Sequence, residues 1–342
     1  MTVSVSKRLE SGQVAIVAEV GQAHGGDLGV AFAYIDAAAS CGVDAVKFQM
    51  HIADAESTAR EPWRVDPGSG QSRFAYWKSM EFSRDAWCRL QDHCRKRGVE
   101  FFCSPFSPRA LEILLGMGVE TLKIASGEAT NGQLLDLALS SDVRLVISNG
   151  LLTTEELDEF VQRATRNGRE IVILQCTTRY PTPPDRVELS RLVQLQDRYS
   201  YPIGISDHSG STYAAFGAVA LGARMIEVHL DLGGDSLNLD RAASLLPHQL
   251  HDLVCGVRFL EIARRDLPVV SPDPERQRLR MIFGRSVVAA RDLPVGTILK
   301  DSDPAFKKPS GGLEWRARTQ LLGRSTKRLI PLDDVILASD VR

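Results

Sequence analysis

Eight short apolar runs, most of them followed by a stretch with apolar residues at helical spacing, restrict the folds open to this chain more than any other feature. The runs are Val14–Val20, Val43–Phe48, Val99–Cys103, Val119–Ala125, Val143–Ser148, Ile171–Cys176, Ile203–Ser206 and Met225–Leu230. They are short, near-continuous and rich in Val and Ile, as strands buried on both faces must be. Between them, Leu90 to Cys94, then Leu111, Leu114 and Leu115, then Glu155–Ala164 keep one apolar face at helical period, and Thr153 or Thr154 can cap the last of these. Gly42, Gly98, Gly118, Gly168 and Gly222 stand where helices close. Eight strand–helix units predict a (β/α)8 barrel, an α/β fold of the TIM type. A doubly wound open sheet uses the same alternation, but no GxGxxG follows the first run, which counts against it.

The barrel accounts for residues 1–265. Prolines and charges then mark 266–283 as a linker. Residues 284–342 change texture: Arg285–Ala289 and Thr297–Leu299 are β-like, and Lys307 to Gly312 is a turn-rich bend, so a small β-rich second domain is expected.

Charge narrows the partners. Lys plus Arg number 41 against 43 Asp plus Glu, a net charge of −2, so no global field draws nucleic acid or an anionic membrane to the chain. No apolar run approaches the roughly 20 residues a membrane span needs. The opening residues are polar and unlike a signal peptide, so a cytoplasmic protein is expected. The six cysteines include no CxxC pair; they read as reduced thiols and not as a zinc site.

In a barrel of this kind, chemistry sits where strands end. The runs here end in Glu19 with His24; Lys47 with Gln49; Ser104; Lys123 with Ser126 and Glu128; Ser148 with Asn149; Thr177, Thr178 and Tyr180; Ser206 with Asp207 and His208; and Glu227 with His229. Two lysines among hydroxyls suit a phosphorylated, carboxylated anion. His208 and His229, on neighbouring runs, read either as hydrogen-bonded structural histidines or as a shared divalent-metal site. Glu19 and Glu128 are candidates for moving a proton or holding a hydroxyl. His51, His93, His248 and His251 read as surface or helix positions without a role.

The same residues carry a resemblance. Ala18-Glu19-Val20-Gly21 with His24, Asp44 to Gln49, Cys103 to Phe106, Lys123 to Glu128 with Asn131, Ser148-Asn149-Gly150 and Cys176 to Pro181 are followed by Gly204 to Gly210, Ile226 to His229, Gly284-Arg285-Ser286 and Pro309-Ser310-Gly311. Together, from about residue 13 to the end, they resemble the sialic acid (N-acetylneuraminate) synthases and their legionaminic and pseudaminic acid relatives. The resemblance implies a barrel with a C-terminal antifreeze-like (SAF) domain and a carbon–carbon bond-forming transfer of phosphoenolpyruvate to an N-acetylmannosamine-like amino-sugar aldehyde, with phosphate released. The same chemistry on a different, non-sialic aldehyde, or a catalytically silent sugar-binding protein, are the alternatives.

Residue by residue, the resemblance implies that Glu19 is the catalytic carboxylate. Lys47, Ser104, Lys123, Ser126, Ser148, Thr178 and Ser206 would cradle phosphoenolpyruvate, although the family often has asparagine where Thr178 stands. Gln49, Glu128, Tyr180, Asp240 and Lys308 would meet the acceptor. His208 and His229 would hold a divalent metal, Mn²⁺ or in its place Mg²⁺ or Co²⁺. A domain-swapped homodimer is implied, in which the family's tail arginine reaches the acceptor of a second chain; Lys308 replaces it here and loses the planar fork. Val228 stands where many members carry lysine, so a cation near the metal strand is expected to be missing, and Asn238-Leu239-Asp240-Arg241 also departs from the family pattern. The charged, glycine-rich insert Ala53–Arg73 is expected to cover the acceptor.

Overall fold

A computed structural model of the chain describes residues 5–64, 66, 68, 70–234, 238–265 and 273–342. Eight parallel strands follow one another around a closed sheet: β1 (Ala15–Gly21), β2 (Ala45–Met50), β3 (Glu100–Pro105), β4 (Thr121–Ile124), β5 (Arg144–Ser148), β6 (Ile171–Cys176), β7 (Ile203–Asp207) and β8 (Met225–Leu230). Pairing of β1 with β8 in the register Ala15↔Met225 to Glu19↔His229 closes the barrel and excludes the open sheet. A two-residue strand, β9 (Ser244–Leu245), adds to β8. One irregularity interrupts the ladder: between Glu19 and Gly21 the β1–β2 register slips by one residue.

The connecting helices carry the capping chemistry expected of them. Thr153 caps Thr154–Arg166 with a reciprocal box to Glu156, and Gly42 and Gly98 end their helices at φ 87 and 78. Apolar strand residues facing outward pack with these helices in the main core, which includes Val46, Ile147, Ile226 and Val228. A separate cluster brings Ala15, Val17, Ala45, Phe102, Val146, Val172, Leu174 and Met225 together with Val5 and Leu9. These strand residues fill the barrel interior toward its N-terminal end. Val5 and Leu9 come from a six-residue helix, Val5–Glu10, which plugs that end.

Barrel closure leaves no space at Gly204 in β7. A Cβ there would lie 2.3 Å from the Met225 carbonyl oxygen in β8 and 2.7 Å from a Leu174 methyl. Gly204→Ala is therefore expected to destabilise the protein by about 3 kcal/mol or more, because backbone cannot yield as a side chain can. At Gly127 an added Cβ meets nothing within 4 Å. Gly127→Ala is the near-neutral control, and urea denaturation of both checks the difference.

Residues 266–342 form a second compact unit. It contains the antiparallel pair β10 (Ser286–Ala289) and β11 (Pro304–Lys307), and a small core that includes Val287, Leu293, Leu299, Ile330 and Ile336. Part of the stretch read as a linker is helical, Pro274–Phe283. Asp273 accepts from the Glu275 N–H and Pro274 occupies the first turn, so the proline starts a helix and does not break one. Residues 266–272 of that stretch lie outside the described residues. Among the described residues all six cysteines are free, and no helix is long and apolar enough to cross a membrane.

Candidate functional site

Side chains on a strand alternate between faces, so the barrel lumen can be read in steps of two. Along β1 the lumen sequence is Ala15, Val17, Glu19; along β2 it is Ala45, Lys47, Gln49; along β8 it is Met225, Glu227, His229. Phe102 gives way to Ser104, Val146 to Ser148, and Leu174 to Cys176. On β1, β2, β3, β5 and β8 the lumen thus changes from apolar to polar along the strand, and the polar ends open into a cavity of about 380 Å³. That is room for small metabolites.

Four charges of alternating sign lie at its floor. Lys47 Nζ is 2.9 Å from Glu19 Oε2 and 3.6 Å from Glu227 Oε1, and Lys123 Nζ is 3.3 Å from that same oxygen. All four side chains are buried. Burial works against the Lys47 charge, but Glu19 and Glu227 more than offset it and raise its pKa above the ordinary lysine value. For Lys123 burial prevails, opposed by Glu227 and assisted by Lys47, and the shift is downward. Burial would raise the Glu227 carboxyl; Lys123, Lys47 and the Ser206 hydroxyl, which donates at 2.8 Å, pull it down to about 2. From sequence, Glu227 stands as a run-end residue beside His229, with no role assigned to it.

Around this floor stand most of the hydroxyl residues named from sequence. Ser104 stands one step back and accepts from Lys47 at 3.4 Å. The Ser126 hydroxyl accepts from the Gly150 N–H at 3.1 Å, and Thr178 lies at the open side. Among the described residues the buried Ser148 Oγ finds no hydrogen-bond partner, an orphaned group at the cavity wall. Gln49 donates to Glu19 Oε1 at 2.6 Å. Burial raises the Glu128 carboxyl, which accepts from Asn131 at 2.9 Å.

His208 and His229 share one wall, with ring centroids 5.3 Å apart and Tyr180 against both. His208 Nδ1 lies 3.0 Å from the Thr177 carbonyl, which makes Nδ1 the donor and leaves the Nε2 lone pair available. Burial, assisted by His229, lowers the His208 pKa to about 3, so its imidazole is neutral at physiological pH. Among the described residues no set of three or more His, Cys, Asp or Glu is placed to hold a metal ion. Two adjacent imidazoles, one of them with its free nitrogen fixed by a carbonyl, still fit a cation whose remaining ligands are water or substrate.

The insert behaves as a wall of the cavity mouth. Glu56, Glu61, Trp63, Arg64 and Arg73 all line it. Arg64 is ion-paired with Asp240 and lies 4.1 Å from the Tyr180 ring centroid. Asp240 Oδ2 is also 3.8 Å from His229 Nδ1. Lys308 belongs to the second unit, where its ammonium is 5.1 Å from the Phe283 ring centroid.

Two expectations need correction. Val228 packs in the core outside the barrel, so the residue type at that position is not presented to the cavity. His51, read as a surface position, is buried immediately after β2 and lines the cavity. Its environment was invisible in sequence, because the aromatic rings enclosing it, Trp77 and Phe106, come from distant segments.

His24, by contrast, is structural. It is buried against Phe82, and its Nδ1 accepts from the Gly26 N–H at 3.0 Å. Burial, assisted by His51, lowers its pKa from 6.5 to about 4. A base depressed in the fold contributes stability that is complete above its unfolded pKa and lost as pH falls through the folded one. The expected loss is roughly 3 kcal/mol between pH 6.5 and about 4. In urea titrations across that range, the wild-type curve should fall relative to His24→Phe, which has no proton to take up; parallel curves would show that His24 carries no such linkage.

Comparison with known proteins agrees with this geometry. The model of the NeuB family matches residues 34–267, and that of the SAF domain matches 284–342. The chain is similar to an N-acetylneuraminate-9-phosphate synthase of Drosophila melanogaster, 30% identical with 96% of each chain covered. It is also similar to the N,N'-diacetyllegionaminic acid synthase of Campylobacter jejuni, 29% identical over 94% of this chain and 98% of the relative. Among solved structures, the N-acetylneuraminic acid synthetase of Leptospira borgpetersenii, in complex with citrate, aligns with a TM-score of 0.69 at 30% identity, covering 78% of this chain and 90% of that one.

Proposed function

The chain belongs to the NeuB family, and from that premise we propose that it is a nonulosonic acid synthase, joining phosphoenolpyruvate to an N-acylated amino-sugar aldehyde and releasing phosphate. The observation that carries this reading is the buried Glu19–Lys47–Glu227–Lys123 array beneath a ring of hydroxyls. Two lysines in a low-dielectric pocket suit a ligand bearing both phosphate and carboxylate, and the orphaned Ser148 hydroxyl is a ready donor to it.

In this reaction C3 of phosphoenolpyruvate forms the new bond to the aldehyde carbon, water adds at C2, and phosphate leaves with its bridging C–O bond broken. Lys47 and Lys123 offset the anionic charge throughout, with Ser104, Ser126, Ser148, Thr178 and Ser206 fixing orientation. Glu19, held by Lys47 on one oxygen and Gln49 on the other, orients the water and takes its proton. Gln49, Glu128, Tyr180 and Asp240 meet the acceptor at the mouth. His208 and His229 would hold a divalent cation, of which Mn²⁺ is the first to try. When bound, such a cation polarises the aldehyde carbonyl. The reading extends to a cytoplasmic homodimer in which the 284–342 unit of one chain brings Lys308 to the acceptor of the other; light scattering checks the mass.

The test is phosphate release from phosphoenolpyruvate with Mn²⁺ across a panel of N-acetylmannosamine, its 6-phosphate and 2,4-diacetamido hexoses. Release with one acceptor establishes the reaction and its substrate. Phosphoenolpyruvate binding with silence toward the whole panel points to the same chemistry on another aldehyde. Absence of binding overturns the proposal.

A further inference from the structure

We propose that His51 is a positioning residue for the chemistry at Glu19: its imidazole, fixed in one tautomer, sets which way round the Gln49 amide sits. The inference rests on the role of Glu19 in the proposed reaction.

The imidazole is clamped on both faces. The Trp77 ring lies 4.1 Å away at an interplanar angle of 8°, and the Phe106 ring lies 4.2 Å away at 27°. In its own plane, Nδ1 is 2.7 Å from Glu56 Oε1. The other Glu56 oxygen accepts from the Ile52 N–H at 3.1 Å, which holds the carboxylate in place. A carboxylate only accepts, so Nδ1 carries the hydrogen and Nε2 presents a lone pair.

That lone pair orients the next two side chains. Nε2 is 2.7 Å from Gln22 Nε2, which must donate to it. Gln22 Nε2 also donates to Gln49 Oε1, using its second hydrogen. Gln49 Oε1 is 3.3 Å from His51 Nε2, a contact between two acceptors and not a bond. With its oxygen committed to Gln22, Gln49 turns its NH₂ end to Glu19 and donates at 2.6 Å. The hydrogen bonds therefore form one directed path, from the Glu56 carboxylate through a single imidazole tautomer to the Glu19 carboxylate. Reversing the Gln22 amide would set its oxygen against the His51 lone pair and against the Gln49 carbonyl. Reversing Gln49 would then place a carbonyl against Glu19 Oε1, two acceptors in contact on the side opposite Lys47. Glu19 would lose the geometry in which it faces water.

His51→Phe keeps an aromatic ring between Trp77 and Phe106 and removes both nitrogens. The expected result is a kcat for phosphate release lowered roughly 10- to 100-fold, with the KM for phosphoenolpyruvate close to wild type; the melting temperature falls as well, because the buried Glu56 Oε1 loses its partner. His51→Gln, whose carbonyl can accept from Gln22, should recover part of the loss. Adding Gln22→Met to His51→Phe should cost little more than either alone, because both break one path. A His51→Phe enzyme with wild-type kcat would leave the ring a packing role only and overturn the proposal. A readout independent of turnover comes from ¹⁵N-histidine-labelled protein, with the His51 signals identified by their disappearance in the phenylalanine variant. The Nδ1–H tautomer is expected at neutral pH; an Nε2–H or doubly protonated ring overturns the assignment. If the wild type did not bind phosphoenolpyruvate, the synthase reading would fail, while the tautomer measurement would still decide the hydrogen-bond path.

Discussion

Glu19→Gln is expected to lower phosphate release by roughly 10²- to 10⁴-fold while the protein stays folded and still binds phosphoenolpyruvate. Glutamine fills the same volume, and its one carbonyl can accept from Lys47 or from Gln49, though not from both. Lys47 keeps a counter-charge in Glu227 at 3.6 Å, so the floor of the cavity is not left with an isolated cation. The substitution removes the ability to take a proton from water at C2. Calorimetric binding of phosphoenolpyruvate beside a continuous phosphate assay separates the two effects. Retention of turnover within a few-fold of wild type would mean that Glu19 moves no proton.

The second large effect is on stability. Lys47 is the one floor cation that touches both carboxylates, and Glu19 Oε2 has no hydrogen-bond partner besides this ion pair. Lys47→Met leaves Glu19 charged, buried and supported only by the Gln49 amide. Removing one partner of a buried pair in this way costs about 3 to 5 kcal/mol. Lys123→Met is expected to cost less, since Glu227 retains Lys47 and the Ser206 hydroxyl, and since burial already disfavours the Lys123 charge. Denaturation at neutral pH should therefore rank wild type above Lys123→Met above Lys47→Met. The reverse ranking would show that Glu227, not Glu19, is the costly anion.

The barrel and most of its rim were legible because both follow from local rules. Alternation within a strand sends Glu19, Lys47, Ser148 and Glu227 to the same side as the apolar residues two positions before them, and strand order closes the ring. Features built from remote segments were not legible. His51 gains meaning only from Glu56, Trp77 and Phe106, and a lone histidine after a strand carries no periodic signal. The plug helix Val5–Glu10 is too short to show helical spacing. Asp273-Pro274 was read as a break, although the same pair serves equally to begin a helix. Val228 misled for the opposite reason: a likeness in sequence ignored which face of β8 it occupies.

The slip in β1 falls between Glu19 and Gly21, and it bears on how this rim can be altered. Gln22 reaches the cavity from the turn just past the strand, after Gly21 at φ 55, a left-handed conformation that favours glycine. A Cβ at Gly21 would also stand 3.6 Å from Gln49 Nε2 and from Glu19 Oε1. Gly21→Val would therefore disturb the path from His51 without replacing either group that reacts. Exchange of this rim with a related barrel has to carry residues 19 to 22 as one piece.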